Sequence, residues 1–219
     1  MNLFNAIFSQ QSASSLAIVY ENARITYGDL QEQILKIAAL LNRLGIAPGE
    51  RVALLLSDSP EFIASFIAIC SSKAIAVPIN MGLQLEEQRA ILNDCTARVG
   101  IVEANICSSL QTGVQEGLQK LKQVAVVSRD GQNTSGTRTW NSLKQFGNSQ
   151  TAGLEIFDLQ QSLWESRAAA RETFAEPGEN EAAFILYTSG STGEPKGAIH
   201  CQSDIFYTNE TFCKEVLGL

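Results

Sequence analysis

The sequence lacks the cysteine patterns that mark disulfide-rich and zinc-binding proteins. Its five cysteines are odd in number, widely spaced and without a C-x-x-C pair: Cys70, Cys95, Cys107, Cys201 and Cys213. Neither a disulfide framework nor a zinc site is therefore indicated, and no residue is singled out as a metal ligand. We expect a reduced, cytoplasmic setting.

Long apolar runs and an excess of positive charge are also missing. The opening MNLFNAIFSQQ contains no basic residue, so it does not predict a secretory signal. The most apolar segment, Phe62–Cys70, is far shorter than the ~20 residues that span a bilayer. The net charge of −7, from 16 basic and 23 acidic residues, argues against a nucleic-acid or anionic-membrane partner.

Strand patterns and helix patterns alternate through the middle of the chain. Apolar runs predict strands over 52–56, 74–77, 99–102 and 124–127, and helices over 59–71, 85–94 and 108–122 lie between them. Short connections between such elements indicate βαβ crossovers. We therefore predict an α/β fold, with a layered, mainly parallel β-sheet and helices on both faces.

Flanking segments complete the predicted organisation. Leu30, Ile34, Ile37, Leu41 and Leu44 form one face of a helix that Thr26 and Asp29 cap and Gly45 ends. Short strands precede it, short helices are predicted over 140–146 and 159–174, and Ser203 caps a final helix. The predicted units are a first α/β lobe (1–130), an irregular connecting segment (131–180), and a phosphate-loop strand, loop and helix (181–219).

The most informative stretch is a strand followed at once by a glycine- and hydroxyl-rich loop. The apolar run Ala183–Tyr187 leads into TSGSTGEPKG, here named the signature loop (Thr188–Gly197), in which seven of ten residues are Gly, Ser or Thr. Such a loop offers backbone amides, hydroxyl donors and the single cation of Lys196, which are the groups that hold polyphosphate. Its spacing differs from the Walker loop, which argues against a P-loop NTPase. The alternative is a Gly/Ser-rich surface turn without a ligand.

The signature loop after a strand that ends in tyrosine resembles that of the adenylate-forming superfamily, which comprises acyl- and aryl-CoA synthetases, nonribosomal adenylation domains and luciferases. The resemblance implies an AMP-forming acid–CoA ligase that uses ATP and Mg²⁺ to activate a carboxylic acid as acyl-AMP, with CoA as co-substrate. It also implies that seven residues hold the nucleotide phosphates, with Lys196 stabilising their charge: Thr188, Ser189, Gly190, Ser191, Thr192, Gly193 and Lys196.

An upstream segment carries the same resemblance. Ala68–Ala104 is similar to a region of acyl-CoA synthetases in which a valine–proline pair ends a strand and an acidic helix and another strand follow. One departure is Lys73, since many members have glycine there.

The single histidine, His200, has two interpretations. It lines the acyl or nucleotide pocket, or it is a satisfied polar residue near a helix start. Its K-G-x-x-H setting resembles the benzoate and related aryl-CoA ligase branch. Cys201 is interpreted as a small packing residue rather than a nucleophile.

Later motifs of the superfamily do not occur in this sequence. We therefore interpret the chain as an N-terminal part of such a ligase and predict that these 219 residues alone are catalytically incomplete. The rival hypothesis is a noncatalytic nucleotide- or protein-binding module on a truncated ligase fold. Exposed apolar surface would also permit a homodimer. The identity of the acid stays open.

Overall fold

A computed structural model describes residues 1–115, 118, 120–127, 149–151, 154–159, 163, 174–188 and 195–218. Its helices are α1 (Leu3–Phe8), α2 (Tyr27–Arg43), α3 (Pro60–Ser71), α4 (Leu85–Asp94), α5 (Ala104–Gln115) and α6 (Gln202–Thr208), and the π-helical segment Asn209–Val216 follows α6. Its strands are β1 (Leu16–Tyr20), β2 (Ala23–Thr26), β3 (Arg51–Leu55), β4 (Ile75–Pro78), β5 (Val99–Glu103), β6 (Gln123–Val127), β7 (Ser149–Thr151), β8 (Leu154–Asp158), β9 (Ala182–Thr188) and β10 (Lys196–Cys201).

Within the described residues, eight strands form one sheet in the order β10-β9-β4-β3-β5-β6-β8-β7. The six inner strands are parallel to their inner neighbours, and only the edge strands β10 and β7 pair in antiparallel fashion. Strands β1 and β2 form a separate hairpin. The predicted α/β fold with a mainly parallel sheet is confirmed.

Helices cover both faces of this sheet, as the unbroken apolar runs predict. In β3, Val52 and Leu54 belong to a core cluster with residues of α2 and α3, whereas Ala53 and Leu55 belong to a second cluster with residues of α4 and α5. All four side chains are fully buried. Each fully buried Val or Leu side chain contributes about 1.5–3 kcal/mol, so two such layers stabilise the sheet from both sides.

The predicted starts of α2 and α3 are confirmed in atomic detail. The amide of Asp29 donates to Thr26 Oγ1 at 3.1 Å, and the amide of Thr26 donates to the Asp29 carboxylate at 3.0 Å. At the start of α3, the amide of Phe62 donates to Ser59 Oγ at 3.1 Å. These bonds satisfy amides that the first turn of a helix leaves without partners.

The predicted helix over 108–122 was wrong at both ends, since α5 spans Ala104–Gln115. Leu118 packs on the end of this helix. The amide of Leu118 donates to the carbonyl oxygen of Gly113 at 2.9 Å, and the Leu118 side chain lies so close that a Cβ on Gly113 would be 2.9 Å from it. This local contact joins residues five positions apart, and the periodicity of the apolar residues does not show it.

Two further differences concern the ends of elements. The final helix is capped by Cys201 and not by Ser203, because β10 continues to that residue and its amide donates to the Asp204 carboxylate at 2.9 Å. Strands β7, β8 and β10 were not predicted at all. The predicted helix over 140–146 and most of that over 159–174 lie outside the described residues. The division into units at residues 130 and 180 stays a prediction.

Lys73 occupies a backbone conformation that favours glycine. Its φ is +62°, which costs an L-residue about 1–2 kcal/mol. The Lys73 ammonium lies 3.0 Å from a carboxylate oxygen of Glu181, the residue before β9. The departure noted in the sequence is therefore a lysine that keeps the glycine-like turn and adds a partly exposed ion pair to the start of β9.

The N-terminal segment is fixed to the chain that leads into β9. Asn2 is fully buried, and its amide group donates to the carbonyl oxygens of Ser71 at 2.9 Å and Ala175 at 3.1 Å. Its side-chain oxygen accepts from the Phe4 amide at 3.0 Å. The Phe4 ring also contacts the Phe174 ring, with centroids 4.9 Å apart.

Replacing Asn2 should test this attachment. We expect Asn2→Ala to lower the free energy of unfolding by about 2–3 kcal/mol, because it removes a helix cap, the donor to the buried Ser71 carbonyl and the donor to the more exposed Ala175 carbonyl. Urea unfolding of the 219-residue chain measures the change. Asn5→Ala, an exposed neighbour, is the matched control and should shift stability by at most about 0.5 kcal/mol. Equal effects of the two substitutions would contradict this account.

Candidate functional site

The signature loop connects two antiparallel strands at one edge of the sheet. Thr188, the last residue of β9, is the register partner of Lys196, the first residue of β10. Both residues are exposed. The pairing therefore closes the loop at its base. It places the Thr188 hydroxyl on one strand and the Lys196 ammonium group directly across from it on the other strand.

The structure describes only part of the predicted phosphate site. It places Thr188 and Lys196 together, whereas five predicted ligands lie outside the described residues: Ser189, Gly190, Ser191, Thr192 and Gly193. Within the part of the chain that the structure describes, no carboxylate forms an ion pair with Lys196.

Gly197 is required by the close approach of the two strands. A Cβ added at this position would lie 2.8 Å from Ile185 Cγ2 and 3.0 Å from Tyr187 Cζ. Real Cβ atoms do not come so close to such neighbours, so a side chain here would push β10 away from β9. Glycine thus permits the pairing that brings Lys196 opposite Thr188.

Gly197→Ala should therefore disturb the hairpin. We expect it to lower stability by about 1–3 kcal/mol, as overpacking of a well-packed site does. Gly178→Ala is the matched control, because a Cβ there would make only ordinary contacts of 3.4 Å or more. Thermal unfolding of both variants measures the difference. A Gly197→Ala chain as stable as the Gly178→Ala chain would contradict the packing argument.

Strand β9 is held at both of its ends. At its start, the Cys70 thiol donates to the carbonyl oxygen of Ala183 at 3.4 Å, and the buried Gln202 side chain donates to the carbonyl oxygen of Cys70 at 3.1 Å. Near its end, the Tyr187 hydroxyl donates to Asp94 Oδ2 at 2.5 Å. The hairpin is thus attached to α3, α6 and α4, and the loop extends from a fixed base.

His200 lies against an aromatic ring inside the same hairpin. It is the register partner of Phe184, and the two rings are stacked with centroids 4.5 Å apart and planes 7° apart. Its Nδ1 lies 3.6 Å from a carboxylate oxygen of Asp204. The half-buried ring is therefore packed and has a polar neighbour, and the predicted pocket role stays a prediction.

The cysteines near this region are poor nucleophiles or are only partly exposed. Burial raises the pKa of the Cys70 thiol to about 12 and that of Cys95 to about 11. Neither thiol forms a useful thiolate near neutral pH. Cys201 is half-buried, and its Sγ lies 3.6 Å from the carbonyl oxygen of Asn180, which agrees with a packing residue.

Two features of this region escaped the sequence analysis. Strand β10 has no buried face, so no hydrophobic pattern marked it. The Tyr187–Asp94 bond joins residues 93 positions apart, and a single sequence carries no signal for such a pair. The tyrosine at the end of a strand and the aspartate at the end of a helix were each visible, but not their contact.

Two other kinds of feature are not found among the described residues. No group of three or more His, Cys, Asp and Glu side chains is arranged to hold a metal ion there. Of the helices in the described part of the chain, none is long and apolar enough to cross a membrane.

The fold and the hairpin define an α/β protein of the adenylate-forming kind. Residues 6–218 match the AMP-binding enzyme family, and the chain belongs to that family. The resemblance predicted from the signature loop is thereby confirmed.

The relatives of known activity are CoA ligases. The chain is 29% identical to the long-chain-fatty-acid–CoA ligase FadD13 of Mycobacterium tuberculosis over 184 residues, which cover 84% of this chain and 31% of the relative. It is 30% identical to the crotonobetaine/carnitine–CoA ligase of Escherichia coli over 177 residues, covering 80% and 30%. The chain thus spans about a third of the length of the curated relatives it matches.

Solved structures have the same fold. The anthranilate CoA ligase AuaEII in complex with anthranoyl-AMP superposes with a TM-score of 0.81 at 25% identity, over 100% of this chain and 37% of that chain. The benzoate CoA ligase from Burkholderia xenovorans LB400 gives a TM-score of 0.76 at 20% identity, over 100% and 38%. At 20% identity, the second similarity concerns the fold alone.

Proposed function

We propose that this chain supplies the phosphate-binding part of an ATP-dependent, AMP-forming acid–CoA ligase. The observation that supports it most is the pairing of Thr188 with Lys196 at the base of the signature loop. This pairing presents one exposed cation and one hydroxyl beside a loop of glycines and hydroxyl residues in a chain of the AMP-binding enzyme family.

The reaction requires two anions to meet. A carboxylate oxygen attacks the α-phosphorus of ATP, the bond from that phosphorus to the bridging oxygen breaks, and pyrophosphate leaves with the negative charge. Positive charge and fixed donors near the β- and γ-phosphates lower this barrier. The thiol of CoA then attacks the acyl carbonyl carbon, and AMP leaves.

The signature loop contributes the donors for this step. Hydroxyls of Thr188, Ser189, Ser191 and Thr192 and amides around Gly190 and Gly193 would hold the β- and γ-phosphates, and the ammonium group of Lys196 would balance the charge that collects on pyrophosphate.

Mg²⁺ fits this arrangement as an ion carried by the nucleotide. It usually keeps several waters and binds substrate phosphates together with one or two carboxylates, so it requires no protein cage. The described residues hold no such cage, and the signature loop offers hydroxyl oxygens and a single carboxylate, that of Glu194. When bound, the ion would neutralise phosphate charge.

Two further expectations concern the activity of these 219 residues alone and the location of the protein in the cell. Since the chain spans about a third of its relatives' length, we expect these 219 residues alone to bind ATP weakly without turnover. A cytoplasmic location agrees with the reduced cysteines.

Aromatic acids are the first candidates for the carboxylic acid substrate, because His200 stacks on Phe184 and the anthranilate CoA ligase shares the fold.

Acid-dependent exchange of labelled pyrophosphate into ATP tests the proposal on the full natural polypeptide. The panel should contain aromatic, short-chain and long-chain acids. We expect Lys196→Ala to lower the exchange rate about 10- to 100-fold, the effect of one lost charge-assisted contact.

Lys122→Ala, another exposed lysine next to the distant strand β6, is the matched control and should leave exchange unchanged. The absence of exchange with every acid, or equal exchange rates for the Lys196→Ala and wild-type proteins, would contradict the proposal.

The second candidate, a noncatalytic binding module, is favoured by one observation. Several apolar side chains near the C-terminal end of the chain are exposed, among them Ile199 at 66%, Tyr207 at 71% and Val216 at 68%. Such a surface suits a partner protein or a second copy in a homodimer. A natural protein that is monomeric, unfolds cooperatively and performs no exchange would favour the module.

A further inference from the structure

The aromatic residue next to the signature loop is bonded to a helix from a distant part of the chain. Tyr187 lies one position before Thr188, and its hydroxyl donates to a carboxylate oxygen of Asp94, the last residue of α4, at 2.5 Å. We name this contact the Tyr187–Asp94 bond.

The Tyr187 ring lies across the backbone that carries Lys196. Tyr187 and Gly197 are register partners, and a Cβ on Gly197 would lie 3.0 Å from Tyr187 Cζ and 3.2 Å from its hydroxyl oxygen. The ring therefore packs directly on the residue that follows Lys196. Any shift of the ring would shift the backbone from which the lysine side chain extends.

The helix end that accepts the bond is itself fixed to the sheet. Arg51, the first residue of β3, donates from Nε to the carbonyl oxygen of Cys95 at 2.7 Å and also bonds the Thr96 hydroxyl. Asp94 thus belongs to a segment that the central strand holds in place. The bond to Asp94 therefore connects the Tyr187 ring to the packed core of the protein and not to another surface group.

The donor state of this bond is stable. Burial raises the pKa of the Tyr187 phenol well above its ordinary value, and the hydrogen bond to Asp94 raises it further. The hydroxyl therefore keeps its proton, and remains able to donate, throughout the physiological range.

We infer that Tyr187 and Asp94 are positioning residues for ATP. Their bond fixes the Tyr187 ring on Gly197 and thereby sets the place from which Lys196 reaches the triphosphate before the nucleotide arrives. Preorganisation of this kind improves binding because less ordering remains to be done on association. The inference rests on the proposed function, and it predicts a defect in ATP binding rather than in acid binding.

Kinetics of pyrophosphate exchange on the full natural polypeptide provide the first test. We expect Tyr187→Phe and Asp94→Ala each to raise the KM for ATP about three- to tenfold, the worth of one partly exposed charge-assisted hydrogen bond. The KM for the acid should stay the same. The double variant should be no worse than the poorer single variant, because both changes remove one contact.

Two variants serve as controls. Asp94→Asn keeps a carbonyl oxygen that can accept from the tyrosine, so it should restore most of the ATP affinity that Asp94→Ala loses. Tyr207→Phe removes the hydroxyl of a tyrosine that is 71% exposed on α6 and should change nothing.

A purely structural role would produce a different result. It would lower the thermal midpoint and the active fraction, and hence kcat, with the KM for ATP unchanged. That outcome, or an unchanged KM in both single variants, would overturn the inference. No exchange in the wild-type protein would instead count against the proposed function.

Hydrogen–deuterium exchange gives a second test that requires no enzymatic activity. On the 219-residue chain without nucleotide, Tyr187→Phe should increase exchange in the peptide over residues 195–201, whereas Tyr207→Phe should not. Identical exchange of that peptide in the wild-type and Tyr187→Phe chains would overturn the inference, whatever the kinetics.

Discussion

The close approach of β9 and β10 at Gly197 is the constraint on which the candidate site depends. Only a residue without a side chain fits where Ile185 and Tyr187 lie against the neighbouring strand. This fit sets the register, and the register pairs Thr188 with Lys196 across the base of the signature loop. A loop closed at its base loses less conformational entropy when it binds a ligand than a free one would.

The rest of the fold supports this hairpin from several directions. The parallel sheet, buried on both faces, provides β4 as the neighbour of β9. Helix α3 holds the start of β9 through Cys70 and, with Gln202, joins it to α6. Helix α4 holds the other end through Asp94. The buried sheet and its helices are thus connected to the part that carries the proposed chemistry, as a site built on rigid elements requires.

Much of this was predictable where the signal is local. The buried face of α2, the capped starts of α2 and α3 and the doubly buried β3 follow from periodicity and cap residues, and the loop follows from its composition. Strand β10 was missed because pairing with β9, not burial, makes it a strand. The end of α5 was misplaced because periodicity does not show the local contact of Leu118 with Gly113 that follows the last turn. No single sequence shows that Tyr187 contacts Asp94, since that contact exists only in three dimensions.

The most direct test of the central claim is an NMR titration of the 15N-labelled chain with inorganic triphosphate and, separately, with adenosine. If the hairpin grips the triphosphate part of a nucleotide, triphosphate alone shifts the amide signals of Thr188, Lys196 and Gly197, and those of the distant strand β6 do not move. Adenosine leaves the hairpin signals where they are. Hairpin amide signals that do not shift with triphosphate, or that shift only with adenosine, would contradict the account.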